Sequence, residues 1–362
     1  MPRKIRRALA VTALIGPLAA AALAGTASAD PATGGGTTVY TQTNASTGNA
    51  VLAFRRVHGV LTQVGSFATG GLGSGNGLGS QGALAAADHL LFAVDAGSNQ
   101  LSVFRIGEHG ALHLSDVEPT GGILPVSVTV SDDAAYVLNT GDASVSGFRI
   151  LGASLQPIAG SHQLLAGMGG AQISFDRDGQ RLVVTEKGTS TIDVLPVRHD
   201  VAGPAVSNPS SGTTPFGFAI DGHNRVIVSN ADGGATLASS LSSYALSGPA
   251  SLTTISAAVA DNQTAACWVA LSEDGRYAYT TNTGSNSISS YRVAADGSLT
   301  LLQAVAASPG AAPTDMAVAD DTLVTLASAS HTISTDEIGP GGALTPDMSV
   351  SVPAGVVGLA IG

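Results

Sequence analysis

A repeated pair of strands runs through this chain and restricts its fold more than any other feature. The clearest copies are residues 278–293, 92–106 and 136–150, with the sequences AYTTNTGSNSISSYRV, FAVDAGSNQLSVFRI and YVLNTGDASVSGFRI. Each copy contains an alternating apolar strand, a turn rich in Gly, Asn and Ser, and a second alternating strand. This pattern is typical of a β-hairpin.

The hairpin occurs seven times at nearly constant spacing. The residues before the seven turns are Asn44, Asp95, Asn139, Glu186, Asn230, Asn282 and Ala327, at intervals of 44 to 52 residues. A short apolar strand precedes most copies, as at 126–130, and another follows, as at 297–302. Four strands per repeat at this period predict an all-β fold, a seven-bladed β-propeller spanning residues 38–362. Because only 4% of residues are aromatic, we expect the blades to pack on Val, Ile, Leu and Ala.

The two ends of the repeat region complement each other. The first copy begins at Val39 without a preceding inner strand, and the chain finishes on an apolar run at 356–361. We therefore expect the C-terminal strand to close the first blade, which would leave no open sheet edge.

The N-terminus has the layout of an export signal. Basic residues at 3–7 precede an apolar stretch at 8–23, and small residues occupy 27–29. This layout predicts a secretory signal peptide over 1–29, a flexible lead-in over 30–37 and a secreted protein. The pair Arg6 and Arg7 leaves general and twin-arginine export both open.

Charge and cysteine content narrow the possible partners. Residues 1–29 hold four of the 15 basic residues and none of the 26 acidic ones, so the remainder carries 11 basic and 26 acidic residues, a net charge of −15. Such an acidic surface argues against nucleic acid as a partner, and no later stretch is apolar enough for membrane insertion. Cys267 is the single cysteine, so an internal disulfide is excluded. We expect a monomer that binds a small molecule in its central channel.

Several segments resemble the seven-bladed lactonase family, which includes propeller-type 6-phosphogluconolactonases and carboxymuconate cyclases. The resemblance is carried by 279–293 followed by DGSLT at 296–300, and by LGSQG at 78–82, TEKG at 185–188, TPFGF at 214–218 and AACW at 265–268. The last four segments resemble an exported bacterial branch of the family. The resemblance implies the propeller fold and a lactonase-type activity. The family's inner-strand segment with His and Arg corresponds here to 169–173, which contains neither.

Propeller geometry indicates where a site would lie. The start of each inner strand and the turn after each second strand belong to the same face. The side chains expected around this face are Gln81, Gln172, Phe216, Cys267, Trp268 and Asp315 from the inner strands, and Glu186, Lys187 and Asn282 from the turns. Most arginines fall at the opposite face. A phosphorylated substrate would require a guanidinium clamp, so we expect a non-phosphorylated ligand.

Glu186 and Lys187 are the predicted catalytic pair. A carboxylate in a channel can act as general base, and a neighbouring ammonium can polarise a carbonyl. The alternative is a surface ion pair on a solvated turn. Cys267 is either a nucleophile or a buried thiol, and Trp268 either packs in the core or stacks on a ring-shaped ligand. Asp315 is either a second carboxylate of the site or a strand cap. Gln81, Gln172, Phe216 and Asn282 would line the substrate site.

Other motifs carry no chemistry. The glycine pattern at 77–82 matches a dinucleotide fingerprint, but no helix follows, and we interpret 70–82 as a loop between blades. The histidines are scattered, so no metal and no cofactor is predicted. Two functions remain open: a lactonase-like hydrolase or isomerase, and a propeller without catalysis that binds a ligand or partner outside the cytoplasm.

Overall fold

The structure, a computed structural model, describes residues 37–58 and 60–362. The predicted signal peptide and all of the predicted lead-in except Thr37 lie outside these residues. The described residues form seven antiparallel sheets arranged as the blades of a propeller, so the predicted fold class is confirmed. None of their helices has the length and apolar character needed to cross a membrane.

Each blade has four strand positions, counted outward from the central channel. The inner strands of blades 1 to 7 are β30 (Val357–Ile361), β4 (Leu84–Ala87), β8 (Pro125–Ser131), β13 (Gly170–Phe175), β18 (Pro215–Ile220), β22 (Ala266–Leu271) and β26 (Pro313–Ala319). The second strands are β1 (Thr38–Gln42), β5 (Leu90–Asp95), β9 (Ala134–Asn139), β14 (Arg181–Glu186), β19 (Arg225–Asn230), β23 (Tyr277–Asn282) and β27 (Thr322–Ala327).

The predicted hairpins join the second strands to the third. The third strands are β2 (Ala50–Val57), β6 (Gln100–Ile106), β10 (Ser144–Leu151), β15 (Thr191–Arg198), β20 (Ser240–Ser247), β24 (Ser287–Val293) and β28 (Thr332–Ile338). The outer strands are β3 (Val60–Ala68), β7 (Leu112–Pro119), β11 (Ser154–Pro157), β12 (Gln163–Leu164), β16 (Val201–Ala202), β17 (Val206–Pro209), β21 (Ser251–Ala260), β25 (Leu299–Ala307) and β29 (Leu344–Ser351). In blades 3 and 4, two short strands share the outer position.

The chain terminus closes the ring as predicted. Strand β30 pairs with β1, so that Val39 lies opposite Ile361 and Tyr40 opposite Ala360. In the same blade, β1 ends at Gln42, two residues before the predicted turn residue Asn44. Gln42 is the equivalent of the other turn residues, because it is the last residue of its second strand, as Asp95 and Asn139 are of theirs.

The hydrophobic core is divided into seven parts, one for each contact between neighbouring blades. Blades 1 and 2 pack on Tyr40, Leu91 and Phe104, for example, and blades 7 and 1 pack on Leu326 and Leu359. Burying both faces of every sheet removes a large apolar area from water, which is the main favourable term in folding. No disulfide contributes, since the single cysteine is free.

The few aromatic side chains are concentrated in these cores. The largest fully buried side chains are Tyr40, Tyr136, Tyr244, Tyr279, Tyr291, Phe54, Phe92, Phe104, Phe148 and Phe218. The expectation of purely aliphatic packing was therefore incomplete. The buried tyrosines can be accommodated because their hydroxyls are hydrogen-bonded: Tyr279 donates to Gly342 O at 3.1 Å, for example, and the Tyr244 hydroxyl accepts from Ser211 N–H at 2.7 Å.

Candidate functional site

The strand register brings the starts of the inner strands and the ends of the second strands to one end of the channel. Gly170 at the start of β13 pairs with Glu186 at the end of β14, and Ala266 pairs with Asn282 in blade 6. The predicted site residues thus belong to one face of the propeller, which we call the channel mouth.

Residues 77–82, which we call the plug segment, occupy the channel mouth. They belong to the connection between blades 1 and 2, yet they bond to the inner strands of other blades. Ser80 Oγ donates to Val126 O in blade 3 at 2.8 Å, and Gln81 N–H donates to Ala171 O in blade 4 at 3.0 Å. The segment is therefore part of the site and more than a loop between blades.

The Gln81 side chain reaches blade 6, on the other side of the ring from its own blade. Its Nε2 donates to Val269 O at 2.9 Å, and its Oε1 accepts from Val269 N–H at 3.1 Å. Gly217 in blade 5 makes room for this amide, because a Cβ at Gly217 would lie 2.2 Å from Gln81 Oε1. Gln81 is thus held by two hydrogen bonds across the channel.

Gln172 and Asp315 connect the inner strands of neighbouring blades. The Gln172 amide accepts from Phe218 N–H at 2.7 Å and donates to Phe218 O at 3.0 Å. The Asp315 carboxylate accepts from Leu359 N–H in blade 1 at 3.0 Å and from the adjacent Met316 N–H at 2.8 Å. Burial raises the pKa of Asp315 to about 8. The polar atoms of both side chains are therefore hydrogen-bonded to the backbone of the inner strands.

Glu186 is fully buried at the end of β14. Its Oε1 accepts from Gly167 N–H at 3.2 Å, and its Oε2 accepts from Thr191 Oγ1 at 2.9 Å. Burial, reinforced by the nearby charge of Asp193, raises the pKa of this carboxyl. As placed, Glu186 fastens the turn of its own blade, and its predicted role as general base stays a prediction.

Lys187 lies beside the plug segment. Its ammonium donates to Gly79 O and stands 4.5 Å from the centroid of the Phe216 ring. The Phe216 ring in turn lies 5.0 Å from the Trp268 ring, and Trp268 Nε1 donates to Ser80 O at 2.9 Å. Burial lowers the pKa of Lys187. Among the described residues, no carboxylate lies within 4.0 Å of its ammonium, so the suggested surface ion pair with Glu186 does not form.

Cys267 and Asn282 are buried. Burial raises the pKa of the Cys267 thiol to about 11, which disfavours the thiolate that a nucleophile requires. Asn282 Nδ2 donates to Ser287 Oγ at 3.1 Å and to Ser289 Oγ at 2.8 Å. Among the described residues, no three His, Cys, Asp or Glu side chains form a group that could hold a metal ion.

A cavity of about 370 Å³ opens between the plug segment and the inner-strand starts of blades 6, 7 and 1. Its lining residues are Gly77, Leu78, Gly79, Ser80, Trp268, Thr314, Ser328, Gly355, Val356, Val357 and Gly358. None of these residues carries an ionisable side chain. Thr314 Oγ1 has no hydrogen-bond partner among the described residues. We call this space the mouth cavity.

The comparison with known families agrees with the geometry. The model of the family described as "Lactonase, 7-bladed beta-propeller" matches residues 236–357. The resemblance to the seven-bladed lactonases is confirmed. No curated protein matches the sequence.

Solved structures similar to this lactonase-like propeller cover most of the chain. A Bacteroides fragilis protein, provisionally assigned as a 6-phosphogluconolactonase, is 19% identical and has a TM-score of 0.70; the match covers 92% of this chain and 100% of that one. The periplasmic gluconolactonase of Pseudomonas aeruginosa is 18% identical, with a TM-score of 0.69 and coverages of 90% and 98%. A streptogramin B lyase is 13% identical, with a TM-score of 0.57 and coverages of 78% and 87%. At these identities the likeness shows the fold alone, because one fold supports many functions.

Sequence reasoning missed the plug segment and Thr314. The glycines of 77–82 were visible, but the pattern was interpreted as a loop, since no strand periodicity links it to the other blades. Gly217 was the available signal: it stands at the position where Gln172 in blade 4 bridges to the next blade. A glycine there leaves a gap that a long polar side chain from elsewhere can fill.

Proposed function

We propose that this lactonase-like propeller binds a small neutral molecule in the mouth cavity. The single observation that carries the proposal is the lining of that cavity, which combines Trp268, Thr314 and residues 355–358 without any charged side chain. Its volume falls within the range of roughly 300–1,000 Å³ that is usual for ligand sites. Thr314 Oγ1 is buried and has no hydrogen-bond partner among the described residues, and a rotation about the Thr314 χ1 bond would present it to a ligand in the cavity.

The cavity favours a non-phosphorylated, ring-shaped ligand such as a sugar lactone. A phosphate would need guanidinium or ammonium partners, and the lining offers none. Trp268 supplies an apolar ring surface, and the backbone of 355–358 supplies hydrogen-bonding groups. These features suit a molecule with one less polar face and several hydroxyl or carbonyl oxygens.

Binding is favoured over catalysis because the predicted catalytic groups have other partners. Glu186 bonds to its own turn, and Lys187 bonds to the plug segment. Asp315 bonds to backbone N–H groups in blades 7 and 1. A general base must reach the proton that it removes, and none of these side chains lines the mouth cavity.

Hydrolysis or isomerisation of a lactone is the second candidate, and Lys187 is the observation that favours it. Its lowered pKa gives this amine a larger neutral fraction than an exposed lysine has. It lies under Gly79, which also lines the mouth cavity. In this alternative, a shift of the plug segment would bring Lys187 to the substrate, and Glu186 would take part only after release from Gly167 and Thr191.

We further propose that the protein is secreted and works as a monomer. The basic, apolar and small-residue pattern of 1–29 supports export. The acidic balance of the remaining chain supports a small-molecule ligand over nucleic acid. Sedimentation of the secreted protein would test the monomer, and protein sequencing of its N-terminus would test cleavage after Ala29.

Binding and turnover of neutral lactones would test the proposal in one set of experiments. Glucono-δ-lactone and related uncharged lactones are added while the emission of Trp268, the single tryptophan, is followed. We expect saturable binding without turnover, and a loss of roughly three- to tenfold in affinity for Thr314→Val, the size of one neutral hydrogen bond. Thr300→Val, at an exposed site on β25, is the control.

The outcomes separate the two candidates. Turnover that is lost in both Glu186→Gln and Lys187→Gln would establish the second candidate and its site. Binding that is unchanged by Thr314→Val would remove the ligand from the mouth cavity. Neither binding nor turnover of any lactone, by folded protein, would contradict both proposals.

A further inference from the structure

A second cavity, of about 600 Å³, lies on the face opposite the channel mouth. It is formed by the turns that follow the inner strands of blades 4, 5 and 6, together with the end of β24. Because those turns lie at the far ends of the inner strands, this cavity is separated from the mouth cavity by the length of the blades. We call it the arginine cavity.

Four arginines line the arginine cavity: Arg177, Arg225, Arg276 and Arg292. They are four of the ten arginines in 37–362, in a chain whose formal net charge is −11. Three carboxylates share the lining, from Asp221, Glu273 and Asp274. The ionisable residues other than His223 therefore leave the cavity with one net positive charge, against the sign of the whole molecule.

Arg225 forms a fixed positive group in the cavity wall. Only 9% of the residue is exposed. Its Nε donates to Asp221 Oδ2 at 2.6 Å, and its Nη1 donates to Ala295 O at 2.7 Å. Its Nη2 also lies 3.3 Å from His223 Nδ1. This guanidinium is held in one orientation by partners on three sides.

Of the four arginines, two are held in ion pairs among the described residues and two are not. Arg276 pairs with Asp274, as Arg225 pairs with Asp221. Among the described residues, neither Arg177 nor Arg292 has a carboxylate within 4.0 Å. Both side chains are exposed, so their donors are available to a ligand from solvent.

We propose that the arginine cavity binds a small molecule through a carboxylate or phosphate group, held by Arg177 and Arg292. The planar guanidinium presents paired N–H donors that match two oxygens of such a group. The ion pairs of Arg225 with Asp221 and of Arg276 with Asp274 carry no net charge, so the positive charge of the cavity comes from Arg177 and Arg292, offset in part by Glu273. The site is independent of the neutral ligand proposed for the mouth cavity.

Calorimetric titration of the full secreted protein with inorganic phosphate and with malonate tests the proposal. We expect at least one of the two anions to bind at low salt and to weaken as salt rises. The double variant Arg177→Ala/Arg292→Ala should lose affinity at least tenfold, since hydrogen bonds to charged groups are the stronger kind. The double variant Arg105→Ala/Arg198→Ala has the same change in charge outside the cavity, and it should retain most of the affinity.

Glu273→Gln supplies a test that does not depend on removing arginine. Glu273 is exposed and lines the cavity, and it has no cationic partner within 4.0 Å among the described residues. Its replacement should tighten anion binding severalfold by removing a repulsive charge. Binding of phosphate alone would assign phosphorylated ligands, and binding of malonate alone would assign carboxylates. No binding of either anion, or equal losses in the two double variants, would overturn the proposal.

Discussion

At the scale of single residues, the structure of the channel mouth depends on Gln81 occupying the space that Gly217 leaves free. In blade 4, Gln172 bridges its own inner strand to the next blade by pairing with both backbone groups of Phe218. Blade 5 has Gly217 at that position, and Gln81 supplies an equivalent amide to Val269 from the plug segment. One missing side chain therefore creates the place where the plug segment is attached.

Gly217→Ala should displace Gln81 and destabilise the protein. The added Cβ would lie 2.2 Å from Gln81 Oε1 and 2.7 Å from Cys267 O. We expect the free energy of unfolding to fall by about 1–3 kcal/mol, as for other additions to a packed site. Urea denaturation measures the change. Gly77→Ala is the matched control, because a Cβ there meets nothing within 4 Å; equal stabilities of the two variants would contradict this account of Gly217.

Asp315 should make stability depend on pH. Its folded pKa of about 8 lies above its ordinary value of 3.8, so the folded protein holds a proton that the unfolded chain releases. The stability that this proton provides is fully present below about pH 4 and is lost as the pH rises through about 8. Over that window we expect a decline approaching ~1.4 kcal/mol per pH unit, measured by urea denaturation at several pH values. Asp315→Asn should flatten the decline, and an unchanged slope in that variant would show that Asp315 is ionised throughout.

Much of the candidate site followed from residue positions, but its bonding did not. The register confirmed that inner-strand starts and second-strand ends share one face, because propeller topology fixes that relation. The hydrogen-bond partners of each side chain depend on packing between blades. The sequence pattern of a single blade gives no information about that packing. Glu186 illustrates the limit: it ends its second strand at the channel mouth, yet its carboxylate lies buried against Gly167 and Thr191.

At the scale of elements, two segments join distant parts of the chain. Strand β30 completes blade 1, and the plug segment links blade 2 to the inner strands of blades 3, 4 and 6. Contacts between residues far apart in sequence hold the ring shut, since they form only when all the blades are in place. The first of these links was predictable from the apolar run at the C-terminus; the second was not, because a glycine-rich segment has no periodicity to interpret.

Leu359→Ala in β30 should destabilise the closed ring. Leu359 is 6% exposed and packs in the core between blades 7 and 1. Truncating a buried leucine costs about 2–5 kcal/mol, and thermal or urea denaturation would measure the loss. Val305→Ala on β25, where the side chain is 54% exposed, should change the free energy of unfolding by less than about 1 kcal/mol. Equal effects of the two substitutions would show that β30 does not close the blade.

At the scale of the whole molecule, the propeller presents two different faces to solvent. The channel mouth holds a neutral cavity beside Trp268 and Thr314, and the opposite face holds a cavity lined by four arginines. The seven-bladed fold was predictable because the same hairpin pattern occurs seven times in the sequence. The difference in charge between the two cavities was only partly predictable, since the arginine positions indicated their face but gave no sign of the cavity.

A crystal structure of the protein soaked with a neutral lactone tests the central claim most directly. We expect the ligand in the mouth cavity, in contact with the Trp268 ring and hydrogen-bonded to Thr314 Oγ1, with the plug segment still bonded to blades 3, 4 and 6. A lactone bound in the arginine cavity, or a channel mouth without the bond from Gln81 to Val269, would contradict the account.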